Sequence, residues 1–245
     1  MSAPVVVTGA GQGIGRSIAL AFAAGGARVA LAARSVDRLE RVAAEVEAAG
    51  GEALAVPTDV GDPTAVQRLA ATVLGRWGAP GALVASAGVA GPIAPVWEVE
   101  TEAWEATLRT NVTGVFLCCR AFLPAMMERG CGSVVVIGSM TGKRPLPQRA
   151  AYAASKTALI GLVRTVAWDA AGVRVNLVSP GPVEGRRLDA VLPPEARRGL
   201  VGASPLRRLT TAEEVARAVR FLCSADAAAI TGEDLNVSAG TVSHG

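Results

Sequence analysis

Tyr152 and Lys156 stand four residues apart in the helix-like stretch Ala151-Tyr152-Ala153-Ala154-Ser155-Lys156. Residues at i and i+4 share one face of a helix, so the spacing sets a phenol beside an ammonium whose charge favours the phenolate. An unperturbed tyrosine titrates near ~10. A fixed cation brings it toward the range in which a general acid or base works at neutral pH. Ser139 lies thirteen residues before Tyr152, at the end of the strand-like run Ser133-Val134-Val135-Val136-Ile137-Gly138. Its hydroxyl is placed to hold a carbonyl oxygen against that phenol, or to serve as an ordinary turn residue. Tyr-x-x-x-Lys alone is not specific, because both residue types are common on helix surfaces.

The elements that must position these groups begin at the other end of the chain. Val5-Val6-Val7 reads as a buried strand, and Thr8-Gly9-Ala10-Gly11-Gln12-Gly13-Ile14-Gly15 follows as a glycine-rich turn. Ile14, Ile18, Ala19, Phe22 and Ala23 then recur at helical spacing. Strand, glycine turn and helix N-terminus together make a phosphate cradle of backbone N–H groups and helix dipole. The spacing is Gly-x-x-x-Gly-x-Gly and not the Gly-x-Gly-x-x-Gly of many dinucleotide folds.

Taken along nearly its whole length, the chain resembles the short-chain dehydrogenase/reductase family. The resemblance is carried by Thr8-Gly9-x-x-x-Gly13-x-Gly15, Asp59-Val60, Ala87-Gly88, Asn111, Ser139 and Tyr152-x-x-x-Lys156. It continues through Arg174-Val175-Asn176, Pro180-Gly181 and Ile230-Thr231-Gly232. It implies that Tyr152 is the acid/base, that Lys156 holds the nicotinamide ribose, that Ser139 positions the substrate oxygen, and that Asn111 supports a proton relay to Lys156. It also implies cofactor contacts from Gly9, Gln12, Gly13, Ile14, Gly15, Arg34, Asp59, Val60, Ala87, Gly88, Tyr152, Lys156, Pro182 and Val183. Read by itself, Asn111 suits the N-cap of a helix starting at Val112. Asp59 suits a turn beside Asp62, an N-cap residue before Pro63.

The sequence departs from the family pattern in three places. Ala85-Ser86-Ala87-Gly88 stands for Asn-Asn-Ala-Gly, Pro182-Val183-Glu184-Gly185 lacks a threonine that meets the carboxamide, and Ser238-Ala239-Gly240 replaces Asp-Gly-Gly. The second departure leaves backbone atoms around Val183 to do the binding.

Strand-like and helix-like stretches alternate over the 245 residues, which predicts an α/β, Rossmann-like doubly wound sandwich with a seven-stranded parallel sheet and helices on both faces. The expected strands are 4–8, 27–33, 52–57, 81–85, 133–138, 173–179 and 233–237. The expected helices are 13–24, 36–49, 63–76, 101–109, 112–129, 150–170 and 212–224. No composition shift divides them, so one domain is expected over residues 1–245. An irregular, Pro/Gly-broken substrate lid is expected at 184–208, in which Arg186 and Arg187 could meet an acidic substrate. Lys143, Arg144 and Arg149 flank the strand-to-helix loop and carry the same ambiguity between recognition and solvation.

The second strand ends in Ala33-Arg34, where an NAD enzyme commonly has an acid for the ribose 2′-hydroxyl. A guanidinium there pairs with a 2′-phosphate as a planar fork, which favours NADPH/NADP+ and leaves NADH/NAD+ as the alternative. Arg34 also suits a solvated charge, and Asp37 lies too far along to sit on the ribose. Net charge is +3 with basic residues scattered, which speaks against nucleic acid as a partner. No export signal or early membrane span is legible, so a cytoplasmic location is expected. Cys118, Cys119, Cys131 and Cys223 show no metal or disulfide spacing and are expected reduced, in or near the core. With His244 the one histidine, no metal site is expected.

The expected reaction is reversible carbonyl/alcohol interconversion on a small-molecule carbonyl or alcohol substrate. NAD-dependent oxidation of a polyol, sugar or secondary alcohol is the alternative, and a catalytically silent nucleotide-sensing protein is the remote one. The small and apolar residues of helices 112–129 and 150–170, set against the family pattern, imply a homodimer or homotetramer.

Overall fold

The computed structural model describes residues 3–144, 146–185, 188 and 193–241. Pro145, Arg186, Arg187, His244 and part of the expected lid lie outside the described residues.

Seven strands form one sheet: Val5–Thr8 (β1), Arg28–Ala33 (β2), Glu52–Pro57 (β3), Ala82–Ala85 (β4), Gly132–Ile137 (β5), Val173–Pro180 (β6) and Asp234–Val237 (β7). Their order is β3-β2-β1-β4-β5-β6-β7, and every pair is parallel. Parallel strands are covered on both faces and therefore read as near-continuous apolar runs, as Val5-Val6-Val7 does. Successive side chains point to opposite faces. Val6, Ala30, Leu83, Val134 and Val175 thus enter one core, and Val5, Val7, Leu31, Val84 and Val135 enter the other.

The helices Gly13–Ala23 (α1), Val36–Ala48 (α2) and Ala212–Cys223 (α8) supply the second core. Pro63–Trp77 (α3), Gly114–Glu128 (α5) and Ala150–Asp169 (α6) supply the first. Chain order runs outward in both directions from the β1–β4 junction. Loops at the carboxyl ends of those strands diverge there, which opens the crevice in which doubly wound sheets bind ligands.

The element boundaries agree with the sequence reading to within one or two residues, with two informative exceptions. The stretches expected as helices 101–109 and 112–129 are one continuous helix, Thr101–Glu128. Thr101–Leu108 (α4) passes into α5 through a π-helical turn at Arg109–Thr113. Asn111 sits inside that turn and caps nothing, which corrects the reading of it as an N-cap. Its side chain is engaged elsewhere, as described below. By length and composition this helix could cross a membrane, but Leu117, Cys118, Phe122 and Met126 are buried against the sheet. The second exception is a regular helix, Pro194–Ala203 (α7), inside the segment expected to be irregular.

Cys118 and Cys119 are buried, and desolvation pushes both thiols up to about 12. Cys131 is exposed in the turn that enters β5, which corrects the expectation that all four cysteines lie in or near the core.

Candidate active site

The cradle is shaped by missing atoms. Gly9 has φ +68°, and a Cβ there would stand 2.8 Å from the Ala87 Cα. A Cβ on Gly15 would lie 2.3 Å from the Gly9 carbonyl oxygen, so the first turn of α1 can rest on the loop only as glycine. The Thr8 hydroxyl oxygen accepts the N–H groups of Ser86 and Ala87, each at 3.1 Å. That bond joins the ends of β1 and β4 at the point where the strand order reverses. No side chain caps the N-terminus of α1 and its first turn holds no acid. Its leading N–H groups and the positive end of the helix dipole therefore suit an anionic group. A nicotinamide dinucleotide fits this donor set through its pyrophosphate.

At the outer end of the crevice Arg34 is exposed just past β2. Asp59 Oδ1 accepts the Gly61 N–H at 2.9 Å, so the turn reading of Asp59 holds. Asp62 caps α3 by accepting the Thr64 N–H at 2.8 Å. Val60 is buried beneath Gly114, where a Cβ would come within 2.7 Å of Val60 Cγ2. Only its backbone can serve a ligand. Sequence reasoning missed Arg38. Its Nη1 donates to Gln12 Oε1 at 2.6 Å, and its Cβ would stand 3.2 Å from a Cβ on Gly11. The signal available is its place in the first turn of α2, four residues after Arg34, where Gly11 admits that turn against the glycine loop.

The opposite wall is built from buried side chains. Asn111 is fully buried. Its Oδ1 accepts the Val89 N–H at 2.8 Å, and its Nδ2 donates to the Val89 carbonyl and to Ser155 Oγ, each at 3.0 Å. Ser155 in turn donates to the Tyr152 carbonyl at 2.7 Å. Lys156 is 6% exposed, and its ammonium donates to the Ile137 carbonyl at 2.8 Å. A Cβ on Gly88 would stand 3.3 Å from Asn111 Oδ1 and 3.6 Å from Lys156 Nζ. The turn after β4, the π turn and α6 thus meet at these three residues. Lys156 Nζ lies 5.8 Å from the centroid of the half-buried Tyr152 ring.

Ser139 has extended backbone and caps the short 3-10 turn Met140–Gly142, its Oγ accepting the Thr141 N–H at 3.2 Å. A hydroxyl that accepts there keeps its own proton to donate. The turn is seated on α6 through Gly142. A Cβ on Gly142 would meet the Lys156 carbonyl at 2.9 Å, and Thr157 Oγ1 donates to the Gly142 carbonyl at 2.9 Å. Gly142 and Ser155 are the positioning residues that spacing alone did not reveal. Pro182 and Val183 are zipped to Thr210, whose N–H donates to Pro182 O at 3.1 Å and whose carbonyl accepts the Glu184 N–H at 2.9 Å.

A family profile described as Enoyl-(Acyl carrier protein) reductase matches residues 9–242. A 3-oxoacyl-[acyl-carrier-protein] reductase of Synechocystis sp. is 37% identical over 241 residues, covering 97% of this chain and 96% of that protein. Among solved structures, an NAD+-bound xylitol dehydrogenase is similar with a TM-score of 0.93 and 32% identity, over 97% of this chain and 98% of its own. A variant of actinorhodin polyketide ketoreductase with NADPH is similar with a TM-score of 0.93 and 32% identity, over 99% and 98%.

Proposed function

The chain belongs to the short-chain dehydrogenase/reductase family, and from that premise we propose an NADP(H)-dependent oxidoreductase that interconverts a ketone or aldehyde with an alcohol. A bound nicotinamide dinucleotide supplies the hydride in reduction and takes it up in oxidation. The observation that carries the reading is the buried Lys156 ammonium. It is held between the Ile137 carbonyl, the Gly88 turn and the face of Tyr152.

In this reading the Ser139 hydroxyl donates to the carbonyl oxygen, and Tyr152 protonates that oxygen as it gains charge. The Lys156 ammonium favours the phenolate left behind. Asn111 holds the turn after β4 and Ser155 in register with them, so its role is to position. Gly9, Gln12, Gly13, Ile14 and Gly15 hold the pyrophosphate through backbone groups, and Asp59, Val60, Ala87 and Gly88 border the adenine side. Pro182 and Val183 meet the carboxamide through the backbone. Arg34 takes a 2′-phosphate, with Arg38, which donates to Gln12, as a second cation.

The reading extends to one domain over 1–245 with a lid at 184–208, a small-molecule substrate, a homodimer or homotetramer and a cytoplasmic location. It includes neither nucleic acid nor membrane as partner. The test is a panel of ketones and secondary alcohols followed at the nicotinamide absorbance with NADP(H) and NAD(H) in parallel. Turnover with NADPH favoured is expected. No absorbance change with any pair, by protein that binds NADPH, would overturn it.

A further inference from the structure

Arg149 sits at the N-cap of α6, three residues before Tyr152, with its guanidinium carbon 5.5 Å from the centroid of the Tyr152 ring. Its Nη1 is shielded from bulk water and, among the described residues, has no hydrogen-bond acceptor. Among the described residues it joins no ion pair. A shielded donor without an acceptor is costly, and this one stands against the proposed acid/base.

The surrounding chain does nothing to neutralise it. Residues 129–168 hold Arg129, Lys143, Arg144, Arg149, Lys156 and Arg164, and not one Asp or Glu. The other cations near the site have acceptors. Lys143 Nζ lies 2.8 Å from Asp234 Oδ2, an ionic contact without good hydrogen-bond alignment, and also donates to Asn236 Oδ1. Arg144 Nη1 donates to the Thr241 carbonyl at 3.4 Å, and Lys156 to Ile137.

The position of Arg149 is also enforced. Gln148 before it has φ +60°, a conformation that strains a non-glycine residue and persists where the surroundings hold it. The Gln148 carbonyl accepts the Ala94 N–H at 3.1 Å. That bond stitches the Arg149 turn to the loop that follows Gly88, the far side of the same wall.

The geometry points to Arg149 as the specificity-determining residue for a substrate that carries a carboxylate within a few bonds of its reacting carbonyl or hydroxyl carbon. This rests on the carbonyl/alcohol reading above and deepens it: the substrate class is an oxo acid or its hydroxy acid, in place of a neutral polyol or a thioester. The guanidinium fork matches a carboxylate in two parallel hydrogen bonds, and binding it supplies the acceptor that Nη1 lacks. The same contact fixes the reacting carbon beside Tyr152.

The test compares two matched pairs, acetoacetate with its methyl ester and phenylglyoxylate with its methyl ester, in wild-type protein and Arg149→Met. The readout is the acid-to-ester ratio of kcat/KM with NADPH. That ratio should fall by roughly 10–100-fold in Arg149→Met, and Arg149→Lys, which keeps the charge and loses the fork, should fall between. A ratio equal in wild type and Arg149→Met, or one lowered no further than in Arg149→Lys, overturns the proposal. If Arg149→Met does not fold, a ratio unchanged in Arg149→Lys does so. Should neither member of either pair turn over, benzoate and benzamide are titrated against the fluorescence of protein-bound NADPH. A response to benzoate alone, lost in Arg149→Met, supports the carboxylate site while counting against the hydride reading. No response to benzoate in wild type counts against the site.

Discussion

The two walls of the crevice are made in opposite ways. On the β1–α1 side the site is defined by what is left out: Cβ atoms at Gly9 and Gly15, and a cap and acids at the start of α1. On the β5–α6 side it is defined by what is put in. Asn111, Ser155 and Lys156 are polar side chains at 0%, 0% and 6% exposure, each hydrogen-bonded to a different part of the chain. The first wall presents backbone donors to an anion and is indifferent to what reacts. The second fixes the groups proposed above to handle a proton. Binding and chemistry should therefore separate under mutation, and the predictions below ask where that separation fails.

The sharpest cut is Tyr152→Phe. It removes one hydroxyl from the side-chain wall and nothing from the backbone wall. Turnover should fall by roughly 10²–10⁴-fold, while the NADPH dissociation constant, read by fluorescence titration, moves only a few-fold. A comparable loss of affinity would show that the walls are one unit after all.

Asn111→Ala attacks the same wall through its scaffold. It deletes three hydrogen bonds from a fully buried side chain and leaves Val89 and Ser155 groups without that partner. A loss of about 2–4 kcal/mol is expected from such unsatisfied groups, read as a lower denaturation midpoint, together with slower turnover. If stability were unchanged, the π turn would be held by something other than this side chain.

The converse cut is the double substitution Arg34→Ala with Arg38→Ala. It touches only the outer end of the backbone wall, where the guanidinium of Arg38 rests on Gln12. The ratio of kcat/KM for NADPH over NADH should drop roughly 10–100-fold, with most of the change in KM for NADPH. An unchanged ratio would return Arg34 to the solvated-charge reading.

The same contrast governs how much could be read from the chain itself. The glycine turn was legible because its signal is local: strand, glycines and helix follow one another within residues 5–23. Strand and helix positions were legible for a similar reason, since doubly buried strands are apolar throughout and helices carry period 3.6. Asn111, Ser139, Tyr152 and Lys156 are named by the family resemblance, but the contacts that support them are not. Asn111 meets Val89 and Ser155 across 22 and 44 residues, and no spacing rule announces such a meeting. An asparagine before Val112 is a good cap by propensity, so the sequence predicts a helix boundary where the π turn runs on; the tertiary partners of Asn111 outweigh that preference. By sequence Arg38 is one more charged residue on α2, and its partner Gln12 lies 26 residues away.

The smallest expected effect lies where the chain leaves the crevice, at the start of α8. Thr211 and Glu214 form a capping box there, with Glu214 Oε2 accepting the Thr211 N–H at 2.9 Å and Thr211 Oγ1 accepting the Glu214 N–H at 3.2 Å. Arg208 adds a two-pronged pair to the same carboxylate. Hydrogen bonds from Arg208 first and the Thr211 backbone second hold Glu214 down to about 2, against an ordinary 4.5. A depressed carboxylate stabilises the fold above its unfolded value and loses that contribution as pH falls toward the folded one. The window is thus between about 4.5 and about 2. Because the Arg208 and Glu214 side chains are 48% and 22% exposed, solvent screens the pair and the contribution is discounted to about 0.5–1 kcal/mol. Glu214→Gln should flatten the acid limb of the stability–pH curve by that amount. The same box carries Thr210 into its bonds with Pro182 and Glu184, so a larger loss, accompanied by a raised KM for cofactor, would mean that α8 also anchors the carboxamide side of the backbone wall.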